Sequence, residues 1–229
     1  MKHLLTVFFI FSLILPAQAQ DMCNQFFPFE HFKSMTFKSY DSRDRYEGSQ
    51  TWEVIELKEE DGAKIAVVNL LVVDADGEEL VLNEFTARCE GGTYYLSMEA
   101  AHLSQFSENI MEDIDIEIRG DDISLPNQIS EGTNLPDASM DLTFKGMITI
   151  NANMQITNRT VDERTTVSIP VGDIDAWKIS YDTQVRVGIT VRGSVVDYVA
   201  EKYGTVRTES YNRRGRLQSY SVLAEAVSW

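Results

Sequence analysis

From residue 34 onward, apolar and polar positions alternate with a period of two, which is the signature of β-strands with one wet face. Ser34–Asp41 places Met35 and Phe37 on one side, and Thr51–Glu59 does the same with Trp52 and Val54. Lys64–Asp74 is an unbroken β-branched run, which predicts a central strand buried on both faces. Asp61-Gly62, Asp76-Gly77 and Gly91-Gly92 stand between these runs as tight-turn signals, so 34–98 reads as an antiparallel meander. The polar stretch 41–50 is expected as a loop. At 99–111 the period changes: Ala100, Leu103, Phe106 and Ile110 recur at helical spacing and predict a short amphipathic helix.

The period of two then returns. Asp113, Asp115 and Glu117 alternate with Ile114, Ile116 and Ile118. Residues 120–139, with Pro126, Gly132 and Pro136, are expected as a loop-rich crossover. Further strands are expected at 140–145, 147–157, 161–169, 174–187, 189–200, 203–211 and 216–229. The expected fold is mostly β: a strongly curved antiparallel sheet, a half-barrel or open barrel, with one or two short helices. No long helix is available to cover such a sheet, so it must bury its own concave side.

The first twenty residues follow a different rule. Lys2 and His3 precede the apolar run Leu4–Leu15, and Ala17-Gln18-Ala19 is an A-x-A cleavage site. Residues 1–19 read as a secretory signal peptide and 20–229 as one β domain, with no integral membrane segment after cleavage. An exported chain favours pairing its two cysteines, Cys23 and Cys89. A bridge over 66 positions is worth roughly 4 kcal/mol on loop-closure grounds. The aromatic segment Phe26-Phe27-Pro28-Phe29 is expected to pack onto the domain.

Charge narrows the partners. There are 36 Asp and Glu against 20 Lys and Arg, a net charge of −16. Such a field repels nucleic acid and anionic surfaces. Arg213, Arg214 and Arg216, with Arg207 nearby, form the one basic cluster, which suits either a solvated turn or an acidic partner.

Catalytic and cofactor motifs are not evident. Beyond the leader only His31 and His102 remain, without Cys or His at metal-ligand spacing. Glu99 and His102 share the E-x-x-H spacing of di-iron bundles without the bundle. Asp74-Ala75-Asp76-Gly77-Glu78 begins like a calcium loop and lacks the remaining ligands. Nucleotide-binding and Ser-hydrolase signatures are missing, so no cofactor is expected. The candidate ligand-facing residues are Met35, Phe37, Trp52, Met98, Met140, Met147, Met154 and Trp177. They fit an open groove for an apolar small molecule or lipid, and equally a closed core.

Several segments resemble the secreted TapB-like, or DUF3108-like, family. They are Tyr203-Gly204-Thr205-Val206-Arg207-Thr208-Glu209-Ser210-Tyr211, Gly215-Arg216-Leu217 and Ser219-Tyr220-Ser221-Val222-Leu223 at the C-terminus. To these add Asn158-Arg159-Thr160-Val161, Thr165–Lys178 with Pro170, Gly172 and Trp177, and Gly120-Asp121-Asp122 through Leu135-Pro136-Asp137. Phe27-Pro28-Phe29 and Trp52 also fit. Val199-Ala200-Glu201-Lys202-Tyr203 departs from the family pattern at the rim of any pocket. The resemblance implies a curved antiparallel sheet in a periplasmic or secreted protein of a Gram-negative, Bacteroidetes-like organism. Its fold would be related to the LolA and LolB lipoprotein carriers, whose half-barrels hold acyl chains. It transfers no catalytic residue. The function expected is a non-enzymatic binding or envelope-accessory protein. The alternatives are an interaction module using a sheet edge or acidic surface to hold an envelope protein partner, and an acid-dependent hydrolase.

Overall fold

The computed structural model describes residues 23–97, 115–145 and 149–229. The leader, the 99–111 helix, Met98 and Met147 lie outside these residues. The described chain is one 13-stranded antiparallel sheet, ordered β6-β8-β9-β10-β11-β12-β13-β1-β2-β3-β4-β5-β7. The strands are β1 Phe32–Asp41, β2 Tyr46–Glu60, β3 Ala63–Asp74, β4 Glu79–Glu90, β5 Thr93–Ser97, β6 Asp115–Gly120, β7 Asp122–Pro126, β8 Ala138–Lys145, β9 Thr149–Ile169, β10 Gly172–Val187, β11 Ile189–Ala200, β12 Gly204–Asn212 and β13 Leu217–Ser228. The helical content among the described residues is a single 3-10 turn, Pro28–Glu30.

The sheet curls until its two ends nearly meet. β6 and β7 are the two ends of the strand order, yet Asp121 alone separates them in the chain. One extended segment therefore serves both edges: β6 pairs with β8 and β7 with β5. Gly120 makes this switch possible, because a Cβ there would sit 2.8 Å from the carbonyl oxygen of Ser139. Asp121 pins the crossing, donating its N–H to the Ser139 oxygen (2.8 Å) and accepting from the Ser139 N–H and hydroxyl.

Three turns at one rim share a side-chain brace. Asp41, Asp74 and Asn212 each accept backbone N–H bonds, at 2.8–3.2 Å, from the residues two and four positions on. This Asx bracing explains one departure from expectation and one turn that was expected. The loop expected at 41–50 is only four residues long, with strand resuming at Tyr46. The Asp74–Glu78 segment, whose calcium-like start is noted above, is a hairpin turn. Arg45 also pairs with Asp41 (Nε to Oδ2, 2.7 Å) and holds its carboxyl down at about 2.

Two further expectations change. The 120–139 loop contains β7, because its backbone supplies the partner that β5 lacks. The strands expected at 147–157 and 161–169 are one strand, β9, broken in register by a bulge.

The opposite rim is stopped by the N-terminal segment. Phe26, Phe27 and Phe29 are buried among β2, β4 and β5 side chains, with Phe29 against Trp52, Phe85 and Tyr94. Asn24 donates to Gly92 and Leu125 oxygens, Gln25 bonds Asn127, and Lys202 N–H donates to Gln25. The strap thus spans the end of the barrel from the β4–β5 turn to the β11–β12 turn. At Gly204 the backbone is left-handed (φ 66°) and a Cβ would lie 3.1 Å from the Phe26 oxygen, so the strap fits because the residue is glycine. Glu30 and Lys64 form an ion pair from the strap to β3.

Cys23 and Cys89 are disulfide-bonded, with Cα atoms 5.9 Å apart, which fastens the strap to β4. Replacing both with serine is expected to cost about 2–5 kcal/mol. Urea unfolding of the double variant against the oxidised protein, read as the shift in midpoint at constant slope, measures it.

Candidate functional site

The barrel interior is not uniform. One apolar cluster fills the strap end, around Phe26, Phe29, Val68, Leu70 and Leu223. A smaller one, Ala138, Met140, Leu142, Ala152, Met154, Ile156, Tyr181 and Val195, lies under β8–β11. Between them is a cavity of about 120 Å³. Phe37, Trp52, Leu96, Ile123, Tyr181 and Val195 form its apolar part, and Gln50, Asp197, Arg207, Thr208, Ser210 and Ser221 are among the polar groups.

The polar wall originates in the β9 bulge. Thr160 pairs with Ser180 and Thr157 with Asp182, so Asn158 and Arg159 together face Tyr181. Asn158 takes a left-handed conformation (φ 57°), which Asn tolerates, and is held by Asp137 and Asp182. The bulge turns Arg159 inward, leaving it only 5% exposed. Its guanidinium donates to the Ser124 oxygen of β7 (3.1 Å) and to the Pro136 oxygen (2.8 Å). It thereby ties β9 to the edge strand and to the crossover, where backbone bonds from Gly132, Leu135 and Val161 are the other links.

Opposite the bulge, Tyr181 donates its hydroxyl to Asp197 (2.9 Å), whose other oxygen accepts from Thr208 (2.6 Å). Asp197 lines the cavity and is half-buried as a residue, but its carboxyl is enclosed. Burial raises its pKa, against the opposing pull of the two hydroxyls and Arg159. Burial, then Asp197, raises that of Tyr181. Burial likewise lowers the pKa of Arg159. Arg207 is committed to Glu209 (2.8 Å) and lies over the Tyr220 ring.

Two polar atoms at the cavity have no partner: the indole Nε1 of Trp52 and Oε1 of Gln50 are both buried and unbonded. Such atoms cost about 1–3 kcal/mol each when left dry.

Of the eight candidate residues, Phe37 and Trp52 line this cavity. Met35 is buried in the larger cluster and Met140 and Met154 in the smaller. Trp177 packs at the edge of the larger cluster with Arg164 over its ring. Met98 and Met147 lie outside the described residues. The sequence reading missed Gln50, Arg159, Tyr181 and Asp197 as a group. The one available signal was the Asn158-Arg159-Thr160-Val161 motif. Among the described residues no group of three or more His, Cys, Asp or Glu is placed to hold a metal.

The DUF3108-like family profile matches residues 31–223. The chain belongs to the DUF3108-like family. Two solved structures share the fold. One, from Bacteroides fragilis NCTC 9343, is described as exported with a YmcC-like fold. It is 26% identical, with a TM-score of 0.77 over 89% of this chain and 99% of that one. The other, from Parabacteroides distasonis ATCC 8503, is described as a lipoprotein. It is 20% identical, with a TM-score of 0.75 over 90% and 99%. No curated protein matches the chain significantly. The DUF3108-like match includes every residue of the cavity and of the β9 bulge.

Arg159→Met is expected to destabilise the protein by about 3 kcal/mol, since the Ser124 and Pro136 carbonyls lose a charged donor and Asp197 loses a nearby positive charge. Denaturant unfolding at neutral pH reads it. For Asp197 the sign is set by a folded-state pKa above the ordinary 3.8. Its contribution is fully present below that value and is lost as pH rises through the folded-state value. The stability of Asp197→Asn relative to wild type is therefore expected to improve as pH rises across that window. Paired unfolding curves from acid to neutral pH test this, and a constant difference would contradict it.

Proposed function

We propose that this DUF3108-like protein is an exported envelope protein whose barrel holds a small amphipathic molecule in the cavity between its two cores. The observation that supports this reading is the mixed lining of that space, where Phe37, Ile123 and Val195 meet Gln50, Asp197 and Thr208. At ~30 Å³ per water-sized group, the volume suits on the order of four such groups. An acyl chain is a poorer fit, because Met35, Met140 and Met154, the flexible side chains that would line a greasy groove, are packed at 1–3% exposure. The mixed lining calls for an apolar body against Phe37, Ile123 and Val195 and hydrogen-bonding groups toward Gln50, Trp52 and Asp197. Export is supported by the leader-like N-terminus and by the descriptions of the two structural relatives.

Gln50→Leu and Trp52→Phe remove the two orphan atoms. Native mass spectrometry of protein from its own envelope is expected to show a stoichiometric small molecule on wild type that both variants lose. Gln50→Leu is expected to unfold at higher denaturant by about 1 kcal/mol, since an unsatisfied acceptor is gone. A protein without any retained molecule, unchanged in stability on Gln50→Leu, would count against the reading.

A further inference from the structure

The rim opposite the strap carries a second feature, independent of the cavity. The β10–β11 hairpin runs on past β12 while β10 stays paired with β9 as far as Arg186: the last β11–β12 pair is Gly193 with Asn212, so 189–192 stand clear of β12. The hairpin is two-faced. Val185 pairs with Val191 and Val187 with Ile189, so these four side chains share one face. That face begins inside the barrel, where Val185 packs against the smaller core, and continues into solvent. Val187, Ile189 and Val191 are 42%, 74% and 59% exposed. The other face carries Arg186 and Arg192.

Beside it, Arg213 of the β12–β13 turn shares a groove with Arg192 and Asp182, and Arg214 and Arg216 follow. All five arginines are exposed, and among the described residues none of them makes an ion pair. Asp182, held by Asn158, is the one acid in the groove. The acidic turn Asp74–Glu78 is on the same rim across the mouth, with β12, β13, β1 and β2 between it and the hairpin. Of the other exposed large apolar side chains, Ile150 is on the neighbouring strand β9, while Tyr46, Ile55 and Leu57 are on β2 and Val227 and Trp229 at the chain end.

We propose that this hairpin and the neighbouring arginine turn dock the protein on the surface of an anionic lipid bilayer. Three β-branched side chains enter the interface while Arg186, Arg192, Arg213, Arg214 and Arg216 meet lipid phosphates. Charge complementarity selects this occupant. A two-fold contact with a second copy would set the same arginines against each other. The apolar face, three exposed side chains, is small for a stable protein interface, yet sufficient for shallow insertion beside basic residues. The net charge of −16 does not forbid it, because screening over about 8 Å at physiological salt leaves the local arginines dominant at the tip. The barrel would sit tilted, lifting the Asp74–Glu78 turn from the surface.

The test is co-sedimentation of the purified protein with phosphatidylglycerol–phosphatidylcholine vesicles and with phosphatidylcholine vesicles, at low and high salt. Retention is expected on the anionic vesicles only, and weaker at high salt. The double variant Arg213→Glu, Arg214→Glu is expected to bind about tenfold more weakly or worse, and Ile189→Asp to lose retention, both with unchanged thermal midpoints. Equal behaviour on the two vesicle types, no sedimentation, or insensitivity to both variants would overturn the proposal. So would a dimer in gel filtration that Ile189→Asp converts to monomer, since a second copy would then be the occupant.

Discussion

Among the described residues no helix is laid on the thirteen-stranded sheet, which leaves its concave face dry by closing on itself. Three local features serve that closure. The β6–β7 segment changes partners at Gly120 to serve both edges. The β9 bulge sends Arg159 inward to bind the Ser124 carbonyl of β7, across the seam, and the Pro136 carbonyl of the crossover. The aromatic strap stops one end and is tied down covalently and by backbone bonds. A buried guanidinium is an expensive seam, but it gives the Ser124 carbonyl of the edge strand β7 a charged donor.

Closure by a charged residue has a consequence inside. Arg159 lowers the cost of a carboxylate at Asp197, and Asp197 in turn orients the hydroxyls of Tyr181 and Thr208. The polar part of the interior is thus a by-product of the seam, located where the strap core and the β8–β11 core fail to meet. The cavity and its orphan atoms lie at that junction, so the same arrangement that completes the barrel supplies a place for a small hydrogen-bonding molecule.

The fold was legible in the chain because its signals are local. Asp61-Gly62 and Gly91-Gly92, each with positive φ at both residues, are the two-residue hairpins that their sequence announces. The alternation of Met35, Phe37 and Trp52 marks the inner face of β1 and β2. Phe26, Phe27 and Phe29 packed onto the domain, and the cysteines paired. The misreadings arose where side chains act on backbone at a distance. A polar stretch such as 41–50 does not reveal that Asp41 will brace a four-residue turn. The 120–139 segment looks like loop because β7 exists only by virtue of an unsatisfied β5.

The site was harder to read for a related reason. Inward-pointing polar residues on strands break the alternation that identifies the inner face, so Gln50, Asp197 and Thr208 pass for the wet side of their strands. Arg159 is the sharpest case. In an uninterrupted strand its neighbours Asn158 and Thr160 would point opposite to it, and a single arginine among exposed polar residues carries no signal. Only the left-handed turn at Asn158, held from both sides by Asp137 and Asp182, reverses its direction. Those two carboxylates come from the 120–139 crossover and from β10, elements 21 and 24 positions away. The residue that seals the barrel is thus aimed by contacts that exist only once the barrel has formed, and periodicity along the chain cannot encode them.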